Sequence, residues 1–245
     1  MFNFNYDKRY EYLIMAILVA MSLVSYLNNP TKLLSLVLTL PAVLIAITFH
    51  EFAHALAADR LGDDTPRRQG RLSLNPLAHL DPIGSVMLVF AGFGWGKPVE
   101  INPRNFTRKI SMSAGEAIVS IAGPLMNFLL AIVFTIIYYA IFKFAPTFIG
   151  TQVGAIIMLI IQMTISINIG LGVFNLIPLP PLDGSKVLKN FLPYRGKQWM
   201  ENYSQIFYII FVVLWITGLA GIIISPIINA IYTGIMNLGI TIFGL

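Results

Sequence analysis

At 245 residues, 57% of them hydrophobic and only 11% charged, the chain carries about half the charged share of an average soluble domain. That excludes an ordinary water-soluble globule and points to a polytopic membrane protein. The net charge of +5 follows the loops and forms no single face, which excludes a nucleic-acid surface, and the lack of cysteine means that any metal must be held by His and carboxylate.

Lys8 and Arg9 precede an apolar stretch with no small-x-small cleavage site after Leu27, which reads as an uncleaved first span at 11–27. A span needs about 20 mainly apolar residues, and the segments 32–60, 112–143, 151–177, 203–224 and 226–244 also qualify. The run from Pro82 to Trp95 is too short and rich in glycine. It reads as a re-entrant or interfacial β-hairpin near 82–96, tolerable only where protein or water satisfies its backbone. The expected fold is an all-α polytopic membrane protein of about six transmembrane helices, forming a single domain over 1–245 without a soluble regulatory module.

Lys and Arg orient these spans. One side receives two at the N-terminus, eight in loop 60–111 and four in loop 184–202; the other receives only Lys32 and Lys143. The bias places both termini and both long loops in the cytoplasm.

His50-Glu51-Phe52-Ala53-His54 matches H-E-x-x-H inside an apolar span. Spacing of i, i+4 on a helix puts both imidazoles on one face, close enough to share a zinc ion. Glu51 lies beside them, where its carboxylate can take a proton from water at the metal. Ionisable residues within a span are costly, about 2.5–3.5 kcal/mol each on the insertion scale, and a structural polar cluster would explain the expense but not the spacing. Catalytic zinc usually keeps three protein ligands. Asp59, Asp63, Asp64 and Asp81 lie in a loop suited to solvated charge, and Glu116 suits the start of a helix. Asp183 stands apart, in Asn175-Leu-Ile-Pro-Leu-Pro-Pro-Leu-Asp183-Gly184. The prolines end the fourth span in an extended segment that can fold back into the bundle, Gly184 permits a sharp turn, and Asp183 can then meet the two histidines in one layer. The alternative is a loop aspartate capping the helix at 185–192.

Two asparagines share this depth. Asn127, in Gly123-Pro124-Leu-Met-Asn127, and Asn175 can each donate to a carbonyl oxygen developing negative charge, or make an interhelical hydrogen bond. Gln162 and Asn168 read as packing contacts, and His79, without a spaced partner, as a structural loop residue.

Taken in order, H-E-x-x-H, G-P-x-x-N and N-x-x-P-x-P-x-L-D-G resemble the site-2 protease family of intramembrane zinc metalloproteases, over a core of about 32–60, 112–143 and 151–184. Leu74-Asn-Pro76 to Asp81-Pro82, Phe93-Gly-Trp95-Gly-Lys97-Pro98-Val99 and Asn102-Pro103 resemble its compact prokaryotic branch, which implies a prokaryotic plasma membrane. The resemblance implies one Zn2+ held by His50, His54 and Asp183, Glu51 as catalytic glutamate, Asn127 and Asn175 as contacts to substrate, and a hairpin near 82–96 that pairs with an extended substrate. It implies transmembrane protein substrates within the lipid bilayer, and an active site in its cytoplasmic half. PDZ and CBS domains, which gate substrates in better-known members, are absent, so a regulatory partner is not implied.

Two other functions fit less well. A membrane zinc protease with a glutamate as third ligand needs a downstream E-x-x-x-D-like helix, which this sequence lacks. A metal carrier should spread polar residues along a path across the bilayer, whereas here they cluster toward one half, and an inactive scaffold has no need of Glu51.

Overall fold

Three polar caps start the helices that carry the site. In the computed structural model, which describes residues 28–81, 84, 96–107 and 109–245 together with positions 20 and 24, Asn29 Oδ1 accepts from the Lys32 N–H at 3.3 Å and opens α1 (Pro30–Arg60). Ser111 Oγ accepts from the Ala114 N–H at 3.2 Å at the head of α2 (Met112–Phe144). Thr151 Oγ1 accepts from the Gly154 N–H at 3.0 Å at the head of α3 (Gln152–Asn175). Each cap satisfies a donor that a helix start leaves unpaired and contributes about 1 kcal/mol. The chain continues through α4 (Asp183–Phe191), α5 (Tyr194–Asn202), α6 (Ser204–Ile216) and α7 (Leu219–Phe243).

The helices α1, α2 and α3 pack on one another, α4 docks against α2, and α7 covers α2 and α3. Ala131, Ile161, Ile165, Ile169, Val173 and Ile224 form the apolar centre of the packed helices. Among the described residues four helices are long and apolar enough to cross a membrane: α1, α2, α3 and α7. The first three match the expected spans 32–60, 112–143 and 151–177 to within two residues. The expected span 11–27 lies outside the described residues except at 20 and 24, and the expected hairpin near 82–96 except at Gly84 and Gly96. The described residues contain no strand; one antiparallel bridge joins Leu80 to Gly96.

The last third of the chain departs from expectation. The break between the two final segments falls at Gly218, with φ +73°, a left-handed conformation that glycine adopts without steric cost. Pro226, the first residue of the expected span 226–244, lies inside α7; membrane helices tolerate internal proline where neighbours satisfy the freed backbone group. At 13 residues, α6 measures about 20 Å, short of the roughly 30 Å hydrocarbon core. Its rings of Phe211 and Trp215 meet Phe174, one residue from the end of α3, at 5.9 and 5.2 Å. At the far end of α7, Phe243 stacks with Tyr139 and meets Phe144, and its carbonyl accepts from Lys143 Nζ. So α6 returns the chain to the side where α3 ended, and α7 runs parallel to α2. The expected single span 203–224 is divided at Gly218, so a crossing by it is not confirmed, and α7 ends beside Lys143, at the end of α2 away from loop 60–111.

Candidate metal centre

A single turn of α1 sets the imidazoles of His50 and His54 edge to face, with ring centroids 4.6 Å apart. Asp183 is the first residue of α4, and its Oδ2 reaches Nε2 of both rings, at 3.2 Å from His50 and 3.1 Å from His54. The two Nε2 atoms are 3.0 Å apart. The other face of each ring is also engaged: Nδ1 of His50 meets Asn127 Oδ1 at 2.6 Å, and Nδ1 of His54 meets the Val119 carbonyl at 2.7 Å.

These contacts test whether the residues suit a metal. Both Nδ1 atoms face acceptors and therefore carry protons, which leaves each Nε2 with a lone pair. Two lone pairs and a carboxylate oxygen then converge at 3.0–3.2 Å, an arrangement that is repulsive without a shared cation. Tetrahedral zinc with bonds of 2.0–2.1 Å holds neighbouring ligand atoms about 3.3 Å apart. The donor set fits, and both rings are oriented from behind in the way metal-ligating histidines usually are.

The packing that permits this is specific. A Cβ on Gly123 of α2 would lie 2.5 Å from Nε2 of His54 and 2.7 Å from Cε1 of His50, so only glycine lets α2 approach the pair. Asp183 reaches the site because the chain folds back after α3. The expected extended segment is instead a series of turns over 176–182, in which the N–H groups of Leu179 and Leu182 donate to the carbonyls of Ile177 and Leu179. Gly184 is required there for space: a Cβ would stand 2.2 Å from the Leu176 carbonyl oxygen.

Glu51 lies beside the pair with its side chain mostly buried; Oε2 accepts from the Val99 N–H at 3.1 Å and faces Arg71 at 3.8 Å. Asn127 has no exposed surface, and its Nδ2 donates to the Ala46 carbonyl at 3.1 Å and to Asn168 Oδ1 at 2.9 Å. Both amide hydrogens are thus used within the protein, and the expected contact to substrate gives way to a contact with His50. Asn175 is half-buried, with Nδ2 donating to Leu171 one turn back, and is not part of the histidine cluster. Gln162 bonds Tyr232 of α7 as a packing contact. His79 is fully buried in the loop, with Nε2 donating to the Ser73 carbonyl at 2.6 Å.

Of the loop acids, Asp59 pairs with Arg67 and Asp64 with Arg68. Asp63 is not the solvated charge expected. It is fully buried and accepts from the N–H and hydroxyl of Thr65, the N–H of Asn102 and the amide of Asn105. Sequence reasoning passed over three contributors, Gly123 as the spacer, Arg71 and the Val99 N–H, and read a fourth, Asn168, only as a packing contact. Arg71 carried a signal, standing three residues before Leu74 of the Leu74-Asn-Pro segment; a backbone N–H such as that of Val99 carries none.

The sequence profile of Peptidase family M50 matches residues 38–218. "Putative zinc metalloprotease YwhC" of Bacillus subtilis is 35% identical over 219 residues, spanning 89% of this chain and 97% of its own. Rip2 of Mycolicibacterium smegmatis, with the same designation, is 30% identical over 185 residues, 74% of this chain and 67% of its own. Rip2 of Mycobacterium tuberculosis is 27% identical over 206 residues. No solved structure matches the chain.

Proposed function

This chain belongs to Peptidase family M50 and is an intramembrane zinc metalloprotease, and from that premise we propose that His50, His54 and Asp183 hold its zinc while Glu51 serves as general acid and base. The observation that carries the assignment is the convergence of three ligand atoms at 3.0–3.2 Å with both Nδ1 protons already placed elsewhere. Zinc, when bound, supplies Lewis-acid chemistry, polarising a scissile carbonyl and making water acidic enough to ionise near neutral pH.

Glu51 accepts the proton of the attacking water and passes it to the departing amine, a role that contributes typically 10²–10⁴-fold. The Val99 N–H holds one carboxylate oxygen and leaves the other for that proton. Asn175, half-buried beside the fold-back that carries Asp183, donates to the substrate backbone with the amide hydrogen that Leu171 does not take. The substrate is a membrane protein whose helix unwinds near the site, because a regular helix keeps its carbonyls in internal hydrogen bonds. A hairpin near 82–96 offers edge pairing to the unwound segment. The lysine and arginine distribution supports an active site in the cytoplasmic half of a prokaryotic plasma membrane. With 11–27 as a span and α6 at the cytoplasmic end, the chain crosses five times.

The test is cleavage of a panel of single-span membrane proteins by wild type and Glu51→Gln, with zinc measured in both. Glu51→Gln should keep zinc and lose turnover, and Asp183→Asn should lose both. An Asp183→Asn protein that keeps zinc as tightly as wild type would give the third ligand to another group.

A further inference from the structure

Behind His50 lies a buried row of amides that the reaction does not use. Nδ2 of Asn127 on α2 donates to the Ala46 carbonyl of α1 and to Oδ1 of Asn168 on α3, and Nδ2 of Asn168 donates to the Thr164 carbonyl at 2.8 Å. Asn127, Asn168 and Thr164 have no exposed surface. We propose that Asn168 is a positioning residue for the metal centre: acting through Asn127, it fixes the ring of His50 with Nδ1 protonated and Nε2 directed at Asp183.

The direction of this row follows from its ends. A side-chain amide can be turned by 180° to exchange its donor and acceptor, but a backbone carbonyl can only accept. Thr164 therefore takes the NH2 of Asn168, which leaves Oδ1 for Asn127. Ala46 takes one hydrogen of Asn127 and Asn168 takes the other, so Asn127 presents Oδ1 to His50. His50 must then donate from Nδ1, and its lone pair is left on Nε2. Reversing Asn127 would set its oxygen against the Ala46 and Asn168 acceptors, and reversing Asn168 would set donor against donor at Asn127 and oxygen against the Thr164 carbonyl, in a buried setting where an unpaired polar group costs about 1–3 kcal/mol.

The two histidines differ in this respect. His54 takes its orientation straight from the Val119 carbonyl, part of the α2 backbone and unable to turn. His50 takes it from a side chain that can turn, and Asn168 supplies the second acceptor that stops it. The row spans α1, α2 and α3, so the orientation of one ligand is tied to the docking of three helices. Outer partners of this kind typically change metal affinity by 10–100-fold.

This inference rests on His50 as a zinc ligand, and the test separates the two. The full chain is purified in detergent as wild type, His50→Ala, Asn168→Thr and Asn168→Val. Zinc affinity is measured by competition with a chromophoric chelator, and thermal unfolding is measured on the metal-free proteins. Thr and Val have the same shape, but only Thr can donate to the carbonyl of residue 164, as Thr164 itself does to Ile160, while accepting from Asn127. Asn168→Thr should bind zinc within about threefold of wild type and Asn168→Val about 10–100-fold more weakly, with the metal-free Val variant melting lower only by the few degrees that one unpaired hydrogen bond costs. Equal affinity in the Thr and Val variants overturns the proposal. So does a Val variant that melts far below the Thr variant without metal or fails to fold, because the role is then structural. His50→Ala binding zinc as wild type does would instead remove the ligand assignment itself.

Discussion

The backbone N–H of Val99 donates to Oε2 of Glu51 at 3.1 Å, so the group proposed as general base is held by a loop some fifty residues downstream and not by its own helix. Arg71 ties that loop down. Arg71 is 3% exposed, and its guanidinium donates to the carbonyls of Ala78 and Lys97 and stands 3.8 Å from the same Glu51 oxygen. Burial works against its charge, while Glu51 and Glu100 favour it.

Arg71→Leu should therefore destabilise the protein by about 3 kcal/mol, because it leaves two buried carbonyls and one carboxylate without their partner. Arg71→Lys should recover only part of this, since an ammonium cannot reproduce a planar fork between two carbonyls. Thermal unfolding in detergent reads both, and a lysine variant as stable as wild type would show that charge alone suffices.

Gly123→Ala should weaken zinc binding at least tenfold. The added methyl would fall within 2.5–2.7 Å of both imidazoles, whereas the same change at Gly234 meets nothing within 4 Å and should leave zinc unaffected. Chelator competition on the two variants makes the comparison. Equal affinities would mean that α2 can withdraw without cost to the site.

The loop that carries Val99 should loosen in acid. Burial would raise the Asp63 carboxyl, but hydrogen bonds from Thr65, Asn102 and Asn105 outweigh it and hold it below the usual carboxylate range. A group depressed in the folded state stabilises fully above its unfolded value, about 3.9, and that contribution is lost as pH falls through the folded value. Pepsin cleavage within 60–107, relative to sites elsewhere, should rise below about pH 4 in wild type. In Asp63→Asn it should already be high at pH 5. A wild-type pattern unchanged between pH 5 and 3 would remove Asp63 as the fastener.

The direction of α7 is open to labelling, and the lack of native cysteine makes the background clean. Gln198→Cys should react with an impermeant maleimide only from the cytoplasmic side, and Thr147→Cys and Leu245→Cys only from the other. Reaction of 245 on the same side as 198 would restore a crossing by α6.

H-E-x-x-H by itself determined that two imidazoles and a carboxylate share one neighbourhood, because helix periodicity is local. Apolar length likewise determined α1, α2 and α3 to within two residues, since a span must satisfy its own backbone whatever surrounds it. The prolines before Asp183 announced that α3 must stop, and the structure keeps that stop while replacing an extended path by turns. What hydropathy could not decide was the fate of 203–224, where α6 is apolar but short once Gly218 breaks it, and the contacts of Phe174 and Phe243 place the two ends of this last segment against the ends of α3 and α2. Asn127 shows the same limit at the site. Its depth was legible, but whether its amide meets a substrate or a histidine depends on Ala46 and Asn168, residues 81 and 41 positions away. Hydrogen-bond partners across helices are set by packing, and only the tertiary structure brings those partners within reach.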